Sequence, residues 1–319
     1  MNKTQFKDSS CDFWLSWVRN EISEGRLTDL VIPEYVRVIG PRAFAGCKNL
    51  VSVTFHPKVV SVGDEAFANC TSLKSIELPD TLKSLGYTPF IGCTALRSVT
   101  MPGRFLAGFQ ITFKGCTAVS SLILTSGSAV DIHCDCTDRP EDRLDLSEYP
   151  HLAILEISEN VTGIAPSTLS KFPYLKTIKV SSKHKKYQST GRDKLLLEKT
   201  TGRLLYALTA NISSDVLGIG PSAFMGVKSL ESVFIPKGVI KIDSQAFYGC
   251  EELRSIVVSE ENPVFDSRDG SNAIIETATD TLVLGCKNTV IPDGIKSICM
   301  FSCTEPEVKL PDSVQAVDD

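Results

Sequence analysis

Apolar residues recur along the chain at a fixed interval. Over residues 32–102 the pattern I-P-x-x-V-x-x-I-G-x-x-A-F-x-G-C-x-x-L-x-x-V-x-F runs three times, and it continues with decay toward the end. Phe44, Phe67, Phe90 and Phe113 stand 23 residues apart, as do Cys47, Cys70, Cys93 and Cys116, and Leu50, Leu73, Leu96 and Val119. A fixed period of this length marks a solenoid, whose coils bury their apolar faces only against each other. Within a coil, L-x-x-V-x-F (50–55, 73–78, 96–101) alternates inward and outward residues and predicts a strand. The proline after it (Pro57, Pro79, Pro102) has no N–H to give and ends the ladder. V-x-x-I-G predicts a second short extended piece, with Gly40, Gly63 and Gly86 supplying a turn conformation that a side chain would resist. A-F-x-x-C predicts a short helical or 3₁₀ turn that carries Phe into the core.

The rhythm is framed and interrupted at definite places. Over residues 11–24, Cys11, Trp14, Leu15, Val18 and Ile22 share one helical face, with Ser9, Ser10 or Asp12 to cap the start and Gly25 to stop it. The first coil of a solenoid exposes an apolar end, so residues 1–29 are expected to form an N-terminal cap and 30–319 the solenoid. The fourth coil keeps Phe113, Cys116 and Val119 but loses the I-G pair, and a polar insertion over 125–143 follows. His133, Cys134 and Cys136 lie inside it; without a second Cys or His pair they are a weak zinc signal, and a loop or a local redox pair is the plainer reading. Register returns with Leu146, Tyr149, Leu152, Leu155 and Ile157, then Leu169, Phe172, Leu175, Ile178 and Val180. Residues 184–211 break it again: two strand-like runs around Thr200-Thr201-Gly202 predict a β-hairpin. The device recurs 78 residues later over 262–290, where Phe265 matches Tyr187. Such hairpins either extend a sheet or project as flaps. Two regular coils stand between them, and a last coil begins at Ile291. A coil opening at Leu310 stops at Asp319 with no helical cap visible, so the chain ends on a truncated coil or is a fragment.

The string A-F-x-G-C-x-x-L-x-S-V, with I-P or L-P before the next coil, resembles the BspA-type leucine-rich repeats of bacterial surface proteins. The resemblance covers about residues 31–310, and Asn262-Pro263-Val264-Phe265-Asp266-Ser267 with Asp269-Gly270 resembles the family's lead-in to its insertions. It implies a surface protein acting in adhesion or host interaction. The expected fold is an α/β repeat: a right-handed leucine-rich-repeat solenoid, a parallel sheet on its concave face, an N-terminal capping helix and two β-hairpin insertions.

Composition narrows the function. The net charge of −5 and pI near 5.5 leave no basic footprint for nucleic acid, and none is expected as a partner. No apolar run reaches the ~18 residues of a membrane span. The polar start MNKTQFKDSS lacks a secretory signal, so the cell surface implied by resemblance competes with the cytoplasm. Eleven cysteines is an odd number, and four share one repeat column. Val227 takes that column's place in a later coil, which reads as core packing rather than disulfides or metal.

Enzyme motifs are missing. Gly-x-Gly occurs at Gly218-Ile219-Gly220 inside the repeat, and there is no Gly-x-Ser-x-Gly or His-Glu-x-x-His. His56, His133, His151 and His184 fall at unrelated phases, as surface or turn histidines would, and Glu260-Glu261 and Asp318-Asp319 read as solvated. No catalysis and no cofactor are expected. The outward strand positions carry the candidates for binding. The middle one is Ser52, Ser75, Ser98, Ser121, Ile154, Thr177, Ser232 and Ser255, a hydroxyl row that suits tight neighbour packing or a shallow polar strip. Lys74 and Arg97, in adjacent coils, make a basic spot; Glu77, Lys176, Lys179 and Arg254 add charge. Phe234 and Val257 place apolar surface on a face that should be wet, unless the second hairpin covers it. The expected role is a monomeric binding module for a protein or glycan. The alternative is an intracellular scaffold with no surface role.

Overall fold

Each run that the pattern marks as a strand is extended in the computed structural model, which describes residues 10–129, 146–192, 194–227, 229–243, 245–299 and 313–318. The fold is a parallel-sheet solenoid in two compact units, Met1–Ile164 and Ala165–Asp319.

In the first unit Asp29–Val31 pairs with Ser52–Thr54, and a larger sheet holds Ser75–Glu77, Ser98–Met101, Ser121–Ala129 and Ile154–Ile164. Pairing is parallel and in repeat register, with Val53 beside Leu30 and Val99 beside Ile76. The Lys74 N–H donates to the Val51 carbonyl at 3.0 Å, which carries the ladder from the second coil to the third. A further sheet holds Val38–Ile39, Ser61–Val62 and Ser84–Leu85.

The A-F-x-x-C side divides its N–H groups between two uses. Ala43, Ala45 and Cys47 donate three residues back, at 3.1–3.3 Å, as a 3₁₀ turn does. Arg42, Phe44 and Gly46 instead donate to Asp64, Ala66 and Ala68 of the next coil, at 2.7–2.8 Å. Buried backbone groups must find partners, and here every side of a coil supplies them to its neighbour. The alternation needs a left-handed residue just before Cys. Gly46, Gly92 and Gly115 supply it, and Asn69, a residue that tolerates this region, supplies it at φ 58°.

Gly40, Gly63 and Gly86 have a different reason from the one expected. None has a positive φ. A Cβ at Gly63 would sit 2.8 Å from the Pro41 nitrogen and 2.9 Å from the Gly40 carbonyl carbon, in the backbone of the coil before it. At Gly40 the same Cβ would meet nothing within 4 Å. The column is small because coils approach closely there.

Inside, the Phe column is a stack. Ring centroids of Phe44, Phe67, Phe90 and Phe113 lie 5.2–5.4 Å apart and nearly parallel. Beside it the thiols of Cys70, Cys93 and Cys116 donate to the carbonyls of Phe44, Phe67 and Phe90, at 3.1–3.2 Å. The thiols are free and buried. Contact with the Cys93 sulfur and burial push the Cys70 and Cys116 thiols well above the ordinary range. The column is packing.

Helix Ser10–Ser23 lies over the start of this stack. Trp14 meets Phe44 edge-on at 6.2 Å, and Val18 and Ile22 are buried. The Arg19 guanidinium donates to the Arg42 and Ala43 carbonyls, and the Asn49 amide to the Ile22 and Ser23 carbonyls, which a helix C-terminus leaves unpaired. At the far side, Phe109 and Tyr149 continue the aromatic contacts.

The insertion expected over 125–143 begins later than the polar composition suggests. Residues 125–129 extend strand Ser121–Ala129 and pair with Ile154–Ile164, Gly127 beside Val161. The Thr125 and Ser126 hydroxyls donate to the Asp80 carboxylate, and the Arg104 guanidinium binds the Asp80 carbonyl at 2.7 Å, which holds the extension against the coil. His133, Cys134 and Cys136 lie outside the described residues, as does the coil start at Leu310.

In the second unit both expected hairpins are present, and a further antiparallel strand before each makes the interruption a three-stranded meander. Tyr187–Thr190, Leu195–Glu198 and Arg203–Ala207 run antiparallel, and the last joins Gly218–Ile219 and Lys241–Ile242 in parallel. Phe265–Asp266, Ile274–Glu276 and Thr281–Leu284 repeat this, continuing through Ser297–Cys299 and Ala316–Asp318. The insertions extend a sheet; they are not flaps. Between them Ser232–Ile235 pairs with Ser255–Val258, above a Phe224–Phe247 stack at 4.6 Å.

The two lead-ins are built alike despite different residues. The Asn262 side-chain oxygen accepts the Val264 and Phe265 N–H groups at 2.9 and 2.8 Å. His184 stands at the same place, and its Nδ1 accepts the Lys186 and Tyr187 N–H groups at 3.1 and 3.0 Å. Ser189 and Ser267 then each accept an N–H from nine residues back, of Val180 and Val258.

Two substitution pairs test these assignments in urea unfolding. Gly63→Ala is expected to cost about 1–3 kcal/mol by overpacking, whereas Gly40→Ala stays within about 0.5 kcal/mol. Equal losses would contradict the close-approach account. His184→Ala should cost about 1–3 kcal/mol by orphaning buried donors. His184→Asn should recover most of that, and failure to do so would mean the ring is needed for more than its acceptor.

Candidate binding face

The outward residues of the first unit's sheet form regular columns because the strands pair in register. Ser75, Ser98 and Ser121 are successive rungs, and Glu77 stands beside Thr100. At the edge the Ser52 and Thr28 hydroxyls donate to Asp29. These bonds, with the charge of Lys74, hold the Asp29 carboxyl below the usual carboxylate range. The hydroxyls of Ser75, Ser98 and Ser121 make no side-chain hydrogen bond among the described residues. Lys74 and Arg97 are exposed on adjacent rungs, the Arg97 N–H donating to the Lys74 carbonyl at 2.9 Å. Coils one strand spacing apart put the two cations within roughly 5 Å at the backbone. The structure thus brings Lys74, Arg97 and Glu77 together on this face.

The remaining candidates belong to the second unit and form two groups. Lys176 and Lys179 are exposed on either side of Thr177, at strand Thr177–Val180. Phe234 lies directly beside Val257 in the ladder, and they are 52% and 47% exposed. The second meander leaves this apolar pair uncovered. Arg254 is close by in sequence but is ion-paired with Glu252 at 3.0 Å. The Arg254 hydrogen bond, then the charge of Lys287, hold Glu252 below the usual carboxylate range.

The pattern V-x-x-I-G has outward positions too, and these hold a second apolar pair that attention to the first strand overlooks. Leu217 and Ile240 are 48% and 56% exposed, and the Ile240 N–H donates to the Leu217 carbonyl at 2.9 Å. Reading the outward residues of both strand patterns would have found them.

Titratable groups gather elsewhere, in structural roles. Arg268 binds Asp266 at 2.7 Å and Asp280 at 3.0 Å, and Lys296 binds Asp280 at 2.9 Å, which clasps the second meander. Burial raises the Asp266 carboxyl, but the bonds from Arg268 and Thr277 outweigh it and hold the group down. Among the described residues no group of three or more His, Cys, Asp or Glu could hold a metal ion. No helix among them is long and apolar enough to cross a membrane.

The family model for the BspA type leucine rich repeat region matches in six copies, over residues 21–134 and 207–268. No curated protein matches the chain. Among solved structures, a leucine rich cell surface protein from Faecalibacterium prausnitzii is 21% identical, over 92% of this chain and 87% of that one, with a TM-score of 0.37. A leucine-rich repeat protein from Eubacterium ventriosum is 18% identical, over 98% and 86%, with a TM-score of 0.36. The pneumococcal vaccine antigen PcpA is 14% identical, over 91% and 74%, with a TM-score of 0.32.

Proposed function

The chain belongs to the BspA-type leucine-rich repeat family, and from that membership we propose that it is a non-enzymatic protein-interaction module working at a cell surface. Its sheet face is the recognition surface, and the ligand is a protein or glycan met in adhesion or host contact. The observation that carries this reading is the separation of duties within each coil. Phe, Cys and Leu columns are spent on stacking, while the strand positions between them are half-buried or exposed, in register and not used by the core. A regular face of this kind offers a partner main-chain order and side-chain choice at once.

In the first unit Lys74, Arg97 and Glu77, beside open serine hydroxyls, form a polar contact surface. In the second, Phe234 and Val257 form an apolar anchor of the kind that carries binding energy, with Lys176, Lys179 and Arg254 as charged surroundings.

The purified chain on a protein and glycan array should yield a ligand. Charge reversal by Lys74→Glu with Arg97→Glu should then weaken that ligand at least tenfold while the melting temperature stays put, because both side chains are exposed. Unchanged affinity would remove the first unit's face. Fractionation of the native protein with the cytosol would remove the surface role and favour an internal scaffold.

A further inference from the structure

The overall charge of −5 conceals a polarised second unit. Between Ala165 and Arg203 the chain carries ten Lys and Arg residues against two acids, Asp193 and Glu198. From Leu204 to Asp319 it carries eight against seventeen. We propose that the turn leading into the first meander is a docking surface for a linear sulfated polysaccharide.

The lysines converge by construction. The Lys199 N–H donates to the Lys186 carbonyl at 2.8 Å, so the two segments are neighbours in the ladder. The Lys199 ammonium reaches the His184 carbonyl at 2.6 Å. Lys183, Lys185 and Lys186 are exposed around that same histidine. Four lysines therefore belong to one turn, and among the described residues none of the four is in an ion pair. Like charges on one surface repel each other wherever they come within a Debye length, roughly 8 Å at physiological salt. A fold that needed only solubility would interleave acids here, as it does at Lys58 with Glu34 and Lys237 with Glu261.

The turn is also held rigid beneath its charges. His184 Nδ1 accepts the Lys186 and Tyr187 N–H groups, and the Ser181 hydroxyl oxygen accepts the Lys183 N–H at 3.3 Å. Backbone ordering is thus complete before a ligand arrives, which lowers the cost of binding. Ser181, Ser182 and Thr200 flank the lysines in sequence and add short hydroxyl donors.

The partner's class follows from what the cluster has and lacks. Its cations are lysines, compact point charges on flexible stems, suited to sulfates at variable positions rather than to the planar forks that favour phosphate and base edges. Single-stranded nucleic acid would want an open aromatic ring to stack on. Tyr187, the ring within the turn, is buried, with the Lys186 ammonium 5.1 Å from its centre. These lysines belong to the second unit and Lys74 and Arg97 to the first, so the proposal is tested independently of that face.

Heparin serves as the probe, compared with desulfated heparin and with single-stranded DNA of matched length, by titration at several salt concentrations. Wild type should bind heparin in a salt-sensitive manner, and desulfated heparin and DNA at least tenfold more weakly. The triple variant Lys183→Gln, Lys185→Gln, Lys186→Gln should lose at least tenfold in heparin affinity, with a salt slope smaller by about two to three. Its melting temperature should be unchanged, and Lys83→Gln with Lys114→Gln should bind as wild type does. The proposal is overturned if heparin does not bind, if the triple variant binds normally, if the Lys83 and Lys114 pair loses as much, or if DNA binds as tightly as heparin.

Discussion

A coil of this chain is a ring of backbone whose N–H and C=O groups point along the stack. It has no fold of its own without a neighbour at one strand spacing. That single distance, about 4.8 Å between strands, governs the rest. Flat rings can stack at it, so Phe occupies a column with centroids 5.2–5.4 Å apart in the first unit. A thiol can reach the carbonyl of the coil before it, so Cys fits beside Phe. A methyl group between two backbones cannot fit, so Gly63 and Gly86 are glycines. The helix Ser10–Ser23 answers the same constraint where no earlier coil exists, with Trp14 set edge-on against Phe44.

This explains how much of the fold the amino-acid order discloses. Periods survive translation into structure because each coil repeats the same packing problem, so columns of Phe, Cys, Leu and Pro announce strands, turns and core together. What was hidden lay where chemistry is shared between different residues. His184 does the work of Asn262 through one ring nitrogen, which no spelling of a motif suggests. Residues 125–129 look like the start of a polar loop, but their backbone pairs with Ile154–Ile164 and their hydroxyls bind Asp80. Gly40 and Gly63 read alike, yet only the second has a coil behind it to crowd.

For the candidate surface the order of residues was informative about exposure and silent about neighbours. Lys74, Arg97, Phe234 and Val257 are outward by strand alternation, and all four are exposed. That Arg254 is occupied by Glu252 depends on side-chain reach rather than period. The lysine cluster around His184 was masked by averaging charge over the whole chain, and it emerges only when charge is followed along the meander. Because stacking consumes the inward columns, exposed outward positions can vary at little cost to the fold. Recognition can therefore differ between coils while the scaffold stays the same.

The claim that stability resides between coils rather than within them is tested most directly by double-mutant cycles on the Phe column. Phe67→Ala and Phe90→Ala, adjacent in the stack at 5.4 Å, should couple by about 0.5–1.5 kcal/mol in urea unfolding. Phe67→Ala and Phe113→Ala, separated by an intervening ring, should be additive to within about 0.5 kcal/mol. Additivity in both cycles would contradict the account, because each ring would then be stabilising its own coil.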